Sequence, residues 1–172
     1  MSTSPALLKT ASNFVSFVNA SPTPFHAVHN CVTRLEGAGF ARLNERESWG
    51  NGKVKRGGKY FVTRNQSSLI AFTVPEGKDT PLGMSIVGAH TDSPRFIVKP
   101  VSKREKAGFA EVGVETYGGG IWATWLDRDL SIAGRVVVSG AKGAAKDSYS
   151  SHLVKVDKSI RSLFRAIELW SG

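Results

Sequence analysis

The chain has 172 residues, of which 41% are hydrophobic, and a formal net charge of +9 at pH 7. This length and composition are sufficient for a globular domain with a hydrophobic core. A single cysteine, Cys31, excludes an intramolecular disulfide and a cysteine-based zinc site. No apolar stretch approaches the roughly 20 residues of a membrane span, and the N-terminus lacks the arginine-rich composition of an organelle presequence. We therefore expect a cytoplasmic protein without a membrane partner.

Two short basic clusters hold eight of the 23 lysine and arginine residues. The first consists of Lys53, Lys55, Arg56 and Lys59, and the second of Lys99, Lys103, Arg104 and Lys106. Basic patches attract phosphate groups through counterion release. However, the first cluster lies among glycines in a predicted loop, and neither is interleaved with the aromatic side chains of a base-stacking surface. We therefore predict solvated loop charges and no nucleic-acid partner.

Two amphipathic helices are predicted before residue 40. In the first, apolar residues recur at intervals of three and four and form one stripe that we expect to be buried: Leu7, Leu8, Ala11, Phe14, Val15 and Val18. Thr23 is suited to cap the second helix, with Pro24 at its first position. His26 and His29 lie three apart on that helix, a spacing that can bind a metal from one face. No acidic or cysteine side chain accompanies them, so we expect structural roles.

The middle of the chain predicts a series of strands. Tyr60–Thr63 and Leu69–Val74 are rich in β-branched and aromatic residues and flank a polar turn, which predicts a hairpin. The apolar run Met84–Val87 predicts a buried strand beside that hairpin. Phe96–Val101 contains a proline, which predicts a short or edge strand, and Phe109–Val114 alternates as a further strand.

His90 and Asp92 lie at the carboxyl end of the strand predicted at Met84–Val87. In a mostly parallel α/β sheet ligands bind at this edge, because the loops that leave it form a crevice. Two residues apart on extended backbone, the two side chains project to the same side. The imidazole can then bind a metal through one nitrogen while the carboxylate accepts the other N–H and orients the ring. A His-x-Asp pattern also recurs by chance, and a hydrogen-bonded structural histidine is the alternative.

Three consecutive glycines, Gly118, Gly119 and Gly120, follow the strand predicted at Phe109–Val114. Without Cβ atoms they allow positive φ angles and a close approach of the backbone to a ligand or another chain. Phosphate binding is an alternative, but the lysine and hydroxyl of a P-loop are absent. The neighbouring Glu115 and Tyr117 either support ligand-binding residues or pack within a hairpin.

The last part of the chain predicts further strands and a short helix. The acidic residues on either side of Arg128 predict an ion network in preference to a metal site. Arg135–Val138 and Leu153–Val156 predict two strands joined by a stretch rich in glycine, alanine and serine. Leu163–Trp170 predicts a short helix with one apolar face.

Six motifs follow one another along the chain: Ser21–Val28, Tyr60–Asn65, Gly88–Pro94, Gly113–Trp122, Trp125–Leu130 and Ala133–Val136. In this order and at these spacings they resemble the N-terminal part of the aspartyl aminopeptidases, over about residues 5–160. The resemblance implies an incomplete α/β fold, with a mixed, largely parallel sheet flanked by helices as in zinc exopeptidases. It also divides the chain into residues 1–125, the N-terminal part of a peptidase domain, residues 126–160, the beginning of a β-rich oligomerisation domain, and residues 161–172, a divergent tail.

The same resemblance implies a chemistry. Enzymes of this family release N-terminal Asp or Glu from peptides with two zinc ions, which polarise the scissile carbonyl and lower the pKa of a bridging water, while a Glu acts as general base. The residue at the position of His90 is a zinc ligand there, and the residue at the position of Asp92 is the catalytic-site carboxylate that orients it. Glu115, Tyr117 and the three glycines correspond to a stretch close to the active site, which implies a pocket wall.

The chain supplies only part of the site that the resemblance implies. Apart from His90 and Asp92 we find no counterpart of the metal ligands, and zinc sites take three or four protein ligands. We therefore expect a truncated member of a homo-oligomeric family that is inactive alone and binds zinc weakly, if at all. Two alternatives remain open. In the first, the chain is a non-catalytic module that pairs with a full-length aminopeptidase subunit through Trp122–Val156. In the second, it is an incomplete gene product.

Overall fold

A computed structural model describes residues 4–77, 83–106, 108–140 and 148–161. The chain divides into two compact units, with the boundary between Thr91 and Asp92. Within the ranges described, no helix has the length and apolar character needed to cross a membrane. The helix predicted at Leu163–Trp170 lies outside the described residues. The division of the chain at residues 125 and 160 stays a prediction.

The first unit begins with two helices, α1 (Pro5–Ala20) and α2 (Pro24–Gly37), as predicted. The cap of α2 is also confirmed, because the Thr23 hydroxyl oxygen accepts a hydrogen bond from the backbone N–H of His26 at 3.4 Å. The same hydroxyl lies 2.8 Å from the Nδ1 atom of the His26 ring. Helix α2 therefore starts at a fixed residue and holds a buried histidine in its first turn.

The apolar stripe of α1 is exposed, contrary to the prediction that it is buried. No residue of α1 is buried, and Phe14 is 68% exposed. The helix contacts α2 elsewhere, where the Arg34 guanidinium lies 4.5 Å from the centre of the Phe17 ring. The prediction was wrong because periodicity identifies the apolar face of a helix but does not supply the surface that covers it.

Strands β1 (Ala41–Arg42), β2 (Lys59–Arg64) and β3 (Ser68–Thr73) form one sheet with β2 in the centre. β1 runs parallel to β2, and β2 and β3 form the predicted antiparallel hairpin. In the turn between them Asn65 and Gln66 have φ angles of 49° and 57°, a backbone conformation common in tight turns.

The hydrophobic core of the first unit lies on β2. Its buried apolar residues are Val28, Leu43, Tyr60, Phe61 and Val62, and Phe61 is fully enclosed. Partly buried side chains pack against this core, among them Trp49 and Phe72. The rings of Tyr60 and Phe72, on neighbouring strands, are 5.6 Å apart between centroids. The central strand β2 therefore supplies three of the five buried apolar residues among those described.

The strand predicted at Met84–Val87 is not formed. Residues 83–94 have no regular secondary structure, and Val87 is 97% exposed. In the described part of the chain no strand pairs with this segment. The prediction was wrong because β-branched residues favour a strand only when a neighbouring strand pairs with the backbone and a packed surface covers the side chains.

The second unit consists of two antiparallel strand pairs. β4 (Arg95–Lys106) pairs with β5 (Phe109–Tyr117), β6 (Asp129–Ser139) pairs with β7 (Tyr149–Arg161), and a short 3₁₀ helix (Trp122–Trp125) lies between the pairs. All four strands predicted for this part are confirmed within these longer strands. The fold class, mixed α/β with partial sheets, is also confirmed. Parallel pairing is confined, among the described residues, to β1 and β2, whereas a largely parallel sheet was expected.

Pro100 lies at an irregularity of β4, a strand that is longer than predicted. The register between β4 and β5 shifts between Val98 and Lys103, and Pro100 lies within this interruption. Proline has no backbone N–H to donate to a neighbouring strand. It therefore interrupts the ladder without ending the strand.

Candidate functional site

His90 has an exposed side chain in the segment without regular structure. It precedes Thr91, which ends the first unit and whose hydroxyl donates a hydrogen bond to the backbone carbonyl of Ser67 at 2.9 Å. Ser67 belongs to the turn between β2 and β3. The position next to His90 is therefore tethered to the packed hairpin, while the imidazole itself is accessible to a metal ion.

Asp92 begins the second unit and is half-buried. The Tyr117 hydroxyl donates a hydrogen bond to its Oδ2 atom, with 3.0 Å between the two oxygens. Tyr117 ends β5, and Asp92 lies just before β4, so the antiparallel pairing of the two strands brings these residues together. Hydrogen bonds to an ionised carboxylate are stronger than those between neutral groups. The structure thus gives the predicted catalytic carboxylate a defined hydrogen-bond donor.

Tyr117 is itself held in place by its neighbours. In the register of the two strands it lies opposite Arg95, whose guanidinium carbon is 4.3 Å from the centre of the Tyr117 ring. The chain then turns at Gly118, which has a φ angle of 80° and lies against Pro94. We call these five residues, Asp92, Pro94, Arg95, Tyr117 and Gly118, the Asp92 corner.

Three further candidate residues, Glu115, Gly119 and Gly120, lie near the Asp92 corner in the sequence. Gly119 and Gly120 are exposed. A Cβ atom at Gly120 would lie 3.2 Å from the Trp122 ring, so the absence of a side chain there lets this ring pack. Glu115 is exposed and lies two residues before Tyr117 on β5. A pocket-wall role for these three residues stays a prediction.

An aromatic cluster beside the Asp92 corner was not predicted. The centroid of the Phe96 ring lies 5.4 Å from that of Trp122 and 5.1 Å from that of Trp125, and the two indoles are 5.8 Å apart. Offset and edge-on contacts at such distances are favourable for aromatic rings. In the sequence, the spacing of the two tryptophans could have indicated that both lie on one helical turn. The cluster anchors the segment after Gly120 to the start of β4.

The residues described here do not form a complete metal site. No group of three or more His, Cys, Asp or Glu side chains in the described ranges could hold a metal ion. Zinc sites in proteins take three or four protein ligands, so His90 and Asp92 fit one part of such a site. His26 has the structural role that we expected, since it is buried and bonded to Thr23, whereas His29 is exposed on the same helix.

Comparison with known proteins gives one consistent family. The family described as aminopeptidase I zinc metalloproteases (M18) matches residues 17–163. An aspartyl aminopeptidase of Aspergillus oryzae is 49% identical over 154 residues, which are 90% of this chain and 30% of that protein. The chain therefore spans about 30% of the length of the curated relatives that it matches.

Solved structures agree with this result. The chain is similar to a protein in the cryo-EM structure of the Ape4 and Nbr1 complex, with a TM-score of 0.78 and 44% identity, over 93% of this chain and 29% of that one. It is also similar to the Saccharomyces cerevisiae mApe1 dodecamer, with a TM-score of 0.76 and 33% identity, over 86% of this chain and 33% of that one.

Proposed function

Because this chain belongs to the M18 family of aminopeptidase I zinc metalloproteases, we propose that it is the N-terminal portion of an enzyme that releases Asp or Glu from the N-termini of peptides. The observation that carries this proposal is the 49% identity, over 154 residues, to a protein named aspartyl aminopeptidase. The acidic substrate, the two zinc ions and the cytoplasmic location belong to the same proposal for the whole protein.

Within that enzyme we assign His90 the role of a zinc ligand and Asp92 the role of the carboxylate that orients it. A neutral imidazole binds metal through one ring nitrogen, and a carboxylate that accepts the other N–H fixes its tautomer and orientation. The exposure of His90 and the hydrogen bond that holds Asp92 support these roles. Further ligands would have to come from outside the described residues or from another chain.

For the isolated chain we expect no peptidase activity. The 172-residue protein, saturated with zinc, should release no aspartate from a short peptide with N-terminal Asp, because one histidine and one carboxylate are too few to hold zinc tightly. Free aspartate is measured by chromatography, and bound zinc by atomic absorption after gel filtration. Turnover that His90→Ala abolishes and the control His29→Ala preserves would contradict this expectation and place an active site within the chain.

The aminopeptidase proposal itself is tested on the native protein, purified from its source. We expect an intact mass well above 18.5 kDa and about two zinc ions per chain, as in other two-metal hydrolases. We also expect release of N-terminal Asp that His90→Ala abolishes. A native mass near 18.5 kDa with little zinc would contradict the proposal.

A second candidate function is non-catalytic pairing with a full-length aminopeptidase subunit. The observation in its favour is the exposed apolar surface of the β6–β7 pair, which includes Val136, Val137, Val138 and Tyr149. In this candidate Val137→Lys reduces co-purification with a tagged full-length aminopeptidase, because a charge at an apolar interface loses its hydration. Ile70→Lys, at an exposed aliphatic position on β3, is the matched control and should not. Equal recovery of both variants would contradict this candidate.

A further inference from the structure

We propose that Tyr117 is a positioning residue, whose hydroxyl fixes the carboxylate of Asp92 so that this carboxylate in turn orients the His90 ring. This inference rests on the roles proposed above for His90 and Asp92. In this proposal Tyr117 contacts neither substrate nor metal, and it affects a bound metal only by holding Asp92. The observation behind it is the 3.0 Å hydrogen bond between the Tyr117 hydroxyl and Asp92 Oδ2.

Asp92 depends on such a partner because its own backbone is irregular. It lies in the segment 83–94, which has no helix or strand to set the direction of its side chain. A side chain at such a position has several staggered rotamers available, and selecting one of them costs conformational entropy. A donor that is already fixed in space offsets part of that cost by stabilising a single rotamer.

Tyr117 is suited to be this donor because it stands on an ordered element. It is the last residue of β5, paired with Arg95, and the Arg95 guanidinium lies 4.3 Å from the centre of its ring. One residue further along β4, Phe96 is anchored by the rings of Trp122 and Trp125. The donor therefore belongs to a paired and packed part of the second unit, as is required of a residue that supports a binding site.

The hydrogen bond is compatible with the role that we assign to Asp92. A carboxylate has two oxygens, and each is able to accept hydrogen bonds. A bond from Tyr117 to Oδ2 does not prevent the carboxylate from accepting an imidazole N–H as well. Loss of a group that supports a metal ligand directly weakens metal binding about 10- to 100-fold. Since Tyr117 acts one step further away, we expect its hydroxyl to change zinc affinity by about 3- to 10-fold.

The first test measures the Asp92 rotamer directly, in the metal-free full chain. Aspartate is labelled with ¹³C at Cγ, the Asp92 signal is assigned by its loss in Asp92→Asn, and three-bond couplings to Cγ report the χ1 angle. We expect single-rotamer couplings in the unsubstituted protein and averaged couplings in Tyr117→Phe, which keeps the ring over Arg95 and removes only the hydroxyl. Tyr149→Phe, at an exposed tyrosine on β7, is the control. Averaged couplings in the unsubstituted chain, or no change in Tyr117→Phe, would overturn the proposal.

The second test distinguishes positioning from a purely structural contact. Because the isolated chain is expected to bind zinc weakly, zinc affinity is measured on the native protein, by competition with a fluorescent chelator, for the unsubstituted protein, Tyr117→Phe, Asp92→Ala and the double variant. We expect Tyr117→Phe to weaken binding only when Asp92 is present, because residues that act through one another are not additive. Equal weakening in both backgrounds would overturn the proposal.

The same titrations distinguish the positioning role of Tyr117 from the zinc-binding role of His90. A loss of affinity in His90→Ala and Asp92→Ala but not in Tyr117→Phe would refute the role of Tyr117 and leave the proposed zinc role of His90 intact. Unchanged affinity in His90→Ala would contradict the zinc role of His90 and the positioning role with it.

Discussion

Two apolar stretches of the first unit have similar composition and opposite environments. Tyr60, Phe61 and Val62 on β2 are buried, whereas Ile86 and Val87 are almost fully exposed in a segment without regular structure. β2 has β1 on one side and β3 on the other, while the second stretch has no pairing strand among the described residues. The difference shows that apolar, β-branched composition gives a preference for a strand, and that neighbouring strands decide whether the strand forms.

The apolar stripe on α1 shows the same dependence on neighbouring elements for a helix. Its periodicity is correct and the helix is present, but the stripe is exposed, as is the segment around Val87. The chain spans about 30% of the length of the relatives that it matches, and exposed apolar surfaces of this kind are common sites of contact with other protein surfaces. The packed and exposed regions should therefore differ in their contribution to stability as they differ in burial.

The largest difference is expected between two phenylalanines. Phe61 is 0% exposed, so Phe61→Ala should lower the free energy of unfolding by about 3–5 kcal/mol through lost burial and a new cavity. Phe14→Ala on the exposed stripe should change it by no more than about 0.5 kcal/mol. Urea unfolding followed by far-ultraviolet circular dichroism measures both. Similar losses for the two variants would show that the α1 stripe is buried in solution.

Two valines provide a chemically matched pair. Val62→Thr places a hydroxyl at a site that is only 7% exposed and should cost about 1–3 kcal/mol of unfolding free energy. Val87→Thr, at a site that is 97% exposed, should cost less than about 0.5 kcal/mol. The same urea titrations apply. A comparable cost at Val87 would mean that residues 84–87 do pair and pack in solution, against the structure described here.

The smallest effect is expected at the start of α2. Thr23→Ala removes the hydroxyl that accepts the His26 backbone N–H and should destabilise the first unit by about 1 kcal/mol. The control is Thr10→Ala within α1, where the hydroxyl donates a hydrogen bond to the carbonyl of Ala6 and alanine is a better helix former. We expect no loss for the control. A cap variant as stable as the control would show that α2 adds little to the packed region.

Features that depend on a few neighbouring residues were predictable from the sequence. The cap formed by Thr23 and Pro24 and the polar turn around Asn65 are examples, and both are observed. Each follows from backbone geometry or from a hydrogen bond between residues close in the chain. The metal-site roles of His90 and Asp92 stay a prediction, which rests on the His-x-Asp pattern and on the resemblance to a family to which the chain belongs.

Only the tertiary structure decided what surrounds these elements. The hydrogen bond between Tyr117 and Asp92 joins residues 25 positions apart, and it depends on the register of β4 and β5. The aromatic cluster around Phe96 and the exposure of α1 and Val87 depend in the same way on which surfaces meet. Sequence periodicity determines which face of an element is apolar. Whether that face is covered, and which donor reaches Asp92, is set by contacts between residues that are distant in the chain.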